Sequence, residues 1–111
     1  MRRRTLAVVL MGLAGVVLAP AAARTQQEGD PAAGRRLAEA WCSGCHVIGP
    51  GASGPASDAV PTFPAVARMP STTGMSLRAF LLTPHARMPD IQMSREQIDD
   101  VVAYILGLRE R

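Results

Sequence analysis

The stretch AWCSGCHVIG, residues 40–49, carries both cysteines of the 111-residue chain and one of its two histidines within five positions. Cys42, Cys45 and His46 form C-x-x-C-H. On a continuing helix those three positions share one face and could present two thiols and an imidazole to one flat partner. Four chemistries use such residues. A disulfide or a pair of buried thiols would leave the histidine idle. A thioredoxin-like redox pair needs strands on either side of the motif, and no strand-length alternation is visible. A structural zinc site needs four ligands; His85 is the remaining histidine, without finger spacing. Covalent attachment of a c-type haem is what the motif states directly. Each thiol then adds across a haem vinyl group, and His46 becomes the proximal iron ligand.

Moving outward toward the N-terminus, Arg2, Arg3 and Arg4 precede an uncharged apolar run from Leu6 to Ala19, and Pro20 leads into Ala21-Ala22-Ala23. A basic head, an apolar middle and a small-residue site form a secretory signal peptide over residues 1–23, with cleavage after Ala23. An uncleaved anchor is the rival, since the run is about long enough to span a bilayer. Export agrees with haem attachment, which in bacteria takes place outside the cytoplasm. It points to the periplasm, with no stable membrane insertion once the leader is removed.

All twelve basic residues are arginine, and three of them lie in the leader. Residues 24–111 therefore keep nine arginines against nine acids, a side-chain charge of zero. A nucleic-acid role loses its electrostatic footing. The same residues hold only four aromatics, Trp41, Phe63, Phe80 and Tyr104. So thin a core calls for a staple, and a covalent cofactor would become part of it.

The remaining pattern is helical. Asp30-Pro31 is an N-cap followed by proline at the first helical position, and the helix runs through Ala32 to Trp41. Leu37 and Trp41 fall four apart on one face, and Gly34 costs about 1 kcal/mol relative to alanine unless another helix crosses there. Residues 49–61 are too rich in Gly, Pro, Ala and Ser for regular structure. Thr62–Thr73 reads as mostly irregular, with a short turn at Pro64–Arg68. Ser76 reads as the cap of a short helix, Leu77–Leu82, ended by Pro84. Loop follows from His85 to Met93. Ser94-Arg95-Glu96-Gln97 is a capping box opening a helix whose buried stripe is Ile98, Val101, Val102, Ile105 and Leu108. The class is all-α with long loops, in one domain over residues 24–111.

A haem held by one histidine has an open face unless the chain supplies a sixth ligand. Met69, Met75, His85, Met88 and Met93 follow the motif. Methionine is usually a core filler, and Met93, just before the Ser94 cap, suits a helix staple. Met88 is preferred because Pro89 stiffens a loop that could carry its thioether to the far side of the iron. His85 is the rival. Bis-His ligation would give a lower potential than His/Met.

Taken together, G34-RRLAEA-WCSGCH46, P61TFPAVA, TPHARM88PD and SREQIDDVVAYILGL resemble the class I cytochromes c over residues 30–108, most closely the small periplasmic ones of proteobacteria. The resemblance implies the cytochrome c fold: N- and C-terminal helices crossing near a right angle over one covalent haem c, with a short middle helix. It places Gly34 at that crossing, facing Val101 and Tyr104. It makes His46 the proximal and Met88 the distal ligand, and Pro61 the carbonyl that accepts the Nδ1–H bond of His46. Phe63, Leu77, Phe80 and Leu81 would pack on the ring. Arg68, Arg78 or Arg87 could meet the haem propionates. The implied function is electron transport between redox protein partners, a donor and an acceptor, with no catalytic residue. A redox subunit dedicated to a periplasmic dehydrogenase or oxidase shares the same site. A ligand-binding haem sensor would instead need an open or displaceable sixth position.

Overall fold

The structure is a computed structural model that describes residues 29–54, 60–84 and 87–110. The expected signal peptide, residues 1–23, and His85 lie outside the described residues. Within them the architecture is all-α, as expected, and no segment forms more than a single β-bridge position at Val60.

Helix α1, Pro31–Trp41, begins where the sequence places it. Asp30 Oδ1 accepts the Ala32 amide at 2.8 Å, and Pro31 fills the first turn, where a missing N–H costs nothing. Helix α4, Arg95–Gly107, opens on the Ser94–Gln97 capping box and tightens into a terminal 3-10 turn, Leu108–Glu110. All five residues of its apolar stripe are buried. α4 is the axis of the fold and packs most extensively against α1.

At that contact Gly34 is required by geometry. A Cβ there would lie 1.9 Å from the Asp100 carbonyl oxygen and 2.9 Å from the Tyr104 Cβ. The close approach is thus to Asp100 and Tyr104; Val101 sits beside it and faces the core. The Asp30 amide also donates to Asp100 Oδ1 at 2.7 Å, which pins the start of α1 to the middle of α4.

Between these helices lie two shorter ones, each longer than the sequence suggests. α2, Phe63–Arg68, is a full helix rather than a turn; Thr62 caps it by accepting the Ala65 amide. It stops at Met69, whose extended backbone is what a residue before Pro70 favours. α3, Gly74–Leu82, is capped by Thr73 rather than Ser76. Ser76 is instead the third helical residue. Its Oγ accepts the Thr73 amide at 2.8 Å, while Thr73 Oγ1 accepts the Ser76 amide at 3.0 Å. The core gathers Ala38, Ile48, Phe63, Ala67 and Leu77 around the α4 stripe and Tyr104, whose hydroxyl donates to the Ile48 carbonyl at 3.0 Å.

Candidate haem site

α1 ends one residue before the first cysteine. Cys42 is its C-cap, and residues 42–45 form turns rather than a further stretch of helix. The shared helical face expected for the motif is therefore replaced by a tight turn: the amides of Cys45 and His46 both donate to the Cys42 carbonyl, at 3.1 and 2.8 Å. The outcome for the side chains is the same. Cys42, Cys45 and His46 all line one cavity of about 570 Å3. No disulfide joins the two cysteines. Burial would push an unattached Cys42 thiol above its ordinary pKa.

His46 is oriented from behind. Its Nδ1 lies 2.7 Å from the Pro61 carbonyl oxygen. A carbonyl can only accept, so Nδ1 carries the proton and Nε2 keeps its lone pair, the arrangement of a metal-ligating imidazole. Phe63 packs against the ring, with centroids 5.2 Å apart and planes tilted by 47°. Pro61 and Phe63 are brought there by the Phe63 amide, which donates to the Val47 carbonyl at 2.9 Å and joins the start of α2 to the residue after His46.

The rest of the cavity comes from every helix. α1 contributes Leu37 and Trp41, α3 contributes Leu77, Phe80 and Leu81, and α4 contributes Val101 and Ile105. Met88 and Pro89 enter from the loop before α4. All seven residues expected at the site (Cys42, Cys45, His46, Pro61, Phe63, Phe80 and Met88) thus border the same space. Phe63 is buried, whereas Phe80 is half exposed.

Among the rival methionines, Met69 and Met93 also line the cavity, but Met75 does not and is 81% exposed. Of the three arginines considered for the propionates, Arg87 reaches the cavity. Arg78 is bound to Asp99, Nε to Oδ1, at 2.5 Å. Val60, Ser71, Thr72 and Ile91 also line the cavity, and no local periodicity in the sequence marks them. Val101 and Ile105 were visible only as core.

The residues fit a haem c. The cavity is walled mostly by apolar side chains and lies within the range of about 300–1,000 Å3 usual for cofactor sites. Two thiols, a proton-fixed imidazole and a thioether converge on it. Among the described residues no three His, Cys, Asp or Glu side chains are grouped closely enough to hold a bare metal ion, and His85 lies outside those residues.

Comparison with known proteins gives the family. The model of the family described as cytochrome c oxidase, cbb3-type, subunit III matches residues 29–105. Cytochrome c-552 of Bradyrhizobium diazoefficiens is 37% identical over 100 residues, covering 90% of this chain and 95% of that protein. No solved structure matches. A helical domain built around a C-x-x-C-H cavity defines a haem-carrying redox protein. The chain belongs to the class I c-type cytochromes, and its cofactor is a covalently bound haem c with iron. It carries electrons between redox partners. Among the described residues, no helix is long and apolar enough to cross a membrane.

Proposed function

We propose that this cytochrome is an exported, periplasmic electron carrier with one haem c, attached at Cys42 and Cys45 and ligated by His46 and Met88. The observation that carries the reading is convergence: the motif and Met88, 42 residues further on, line one cavity, with Nδ1 of His46 already committed to Pro61.

When bound, the group supplies a one-electron ferrous–ferric couple. The chain's own residues do the rest. Cys42 and Cys45 tether by thioether bonds and are consumed in doing so. Pro61 fixes the His46 tautomer and raises its basicity. Met88 would hold the iron through its thioether sulfur, which would favour the ferrous state. Phe63 and Phe80 pack against the macrocycle and exclude water. No residue is assigned a catalytic role: with His46 and Met88 both holding the iron, the chain would pass an electron without making or breaking a bond.

Residues 1–23 act as the export signal in this reading. Donor and acceptor are redox proteins that meet a lysine-free surface of near-zero net charge, where a small apolar contact matters more than long-range steering. A second reading, a haem c subunit dedicated to an oxidase or dehydrogenase, shares the site and is favoured by the matched family's description.

The ligation is tested by Met88→Ala. The weak far-red absorption band of ferric Met-ligated haem should vanish and the reduction potential should fall. If both survive, another group such as Met69, Met93 or His85 holds the iron.

A further inference from the structure

Arg109, in the 3-10 turn after α4, is exposed, yet its guanidinium makes two hydrogen bonds to distant backbone. Its Nε donates to the Ala67 carbonyl at 2.6 Å, and an Nη2 hydrogen bond goes to the Thr72 carbonyl. These partners lie 42 and 37 residues away in sequence. Ala67 is in the last turn of α2, so its carbonyl is one of those a helix end leaves without an intrahelical donor. Thr72 is a buried polar residue in the link from α2 to α3. The link is closed again from inside: Thr72 Oγ1 donates to the Val66 carbonyl at 2.7 Å, and the Thr72 amide to the Met69 carbonyl at 3.0 Å. A planar guanidinium can hold two carbonyls in fixed register, whereas a lysine offers one mobile point of charge.

The braced segment is a wall of the redox site. Val66, Met69, Ser71 and Thr72 all line the haem cavity, and Arg109 itself does not. Loosening that wall would admit water to the macrocycle. Water stabilises the more highly charged state of the iron, which is ferric, so burial holds the potential up.

We infer that Arg109 is a positioning residue of the redox site, holding the Val66–Thr72 wall closed and thereby keeping the reduction potential high. The inference rests on the haem occupying this cavity as proposed above.

The test is a spectroelectrochemical titration of the haem-loaded full chain as wild type, Arg109→Ala, Arg109→Lys and Thr72→Val. Arg109→Ala should favour ferric iron up to tenfold at a fixed applied potential, equivalent to about 59 mV for one electron. Thr72→Val keeps the cation and removes only the inner hydroxyl; it should shift the potential in the same direction. Arg109→Lys, which keeps charge without the fork, should fall between wild type and alanine. A wild-type potential in both Thr72→Val and Arg109→Lys overturns the inference: any alanine effect is then one of charge or of general stability. If Arg109→Ala fails to accumulate with haem, those two variants decide the matter by the same criterion. A wild-type chain whose haem spectrum is not that of a buried, ligated iron would instead defeat the site assignment itself.

Discussion

At the scale of single residues, Gly34 shows how a local cost becomes a requirement. Glycine in mid-helix is about 1 kcal/mol worse than alanine by propensity. The Asp100 carbonyl oxygen nevertheless occupies the place of a Cβ, 1.9 Å away, and it belongs to backbone that cannot swing aside. Gly34→Ala should therefore destabilise the protein by about 1–3 kcal/mol, the usual range for overpacking, despite its better propensity. A denaturant midpoint at or above wild type would show that α1 and α4 can separate at little cost. His46 gives the complementary case. Its role follows from one hydrogen bond to a main-chain carbonyl 15 residues away, a partner that substitution at Pro61 would not delete. The motif proposes His46 as the ligand from sequence alone, whereas the orienting carbonyl is implied only through resemblance, since any residue type can supply one.

At the scale of elements, what could be read depended on whether the signal was local. The caps of α1 and α4 were visible because each is a short pattern of favourable residues followed by its own helix. The start of α3 was not. Its reciprocal pair uses serine in place of the usual Glu or Gln, and Gly74 at the first position hides the beginning of the helix. The end of α1 at Trp41 is legible, whereas the face shared by Cys42, Cys45 and His46 on a continuing helix gives way to turns over residues 42–45. Ser94 opens the element on which the core is built, with Ser94 Oγ accepting the Gln97 amide and Gln97 Oε1 accepting the Ser94 amide. Ser94→Ala should cost about 1 kcal/mol. For a domain of this size that is a fall of about 4–8 °C in Tm, measurable by circular dichroism. An unchanged Tm would mean that tertiary packing alone fixes the start of α4.

At the scale of the whole molecule, the four α-helices among the described residues enclose a cavity rather than a closed core. The buried side chains are few and mostly aliphatic, and the cavity reaches Val101 and Ile105 in the middle of the α4 stripe. The haem thus completes the packing that the chain's four aromatics cannot. The need for such a staple was readable from composition. The wall from Val66 to Thr72 was not, because the bonds that close it join the far end of the chain to its middle. The central claim is that this cavity holds an iron with both axial positions filled, so that electrons pass and ligands do not. It is tested most directly by adding carbon monoxide to the ferrous protein at neutral pH and recording the visible spectrum. The account predicts an unchanged six-coordinate spectrum; formation of a carbon monoxide adduct would contradict it and identify a ligand-binding haem protein instead.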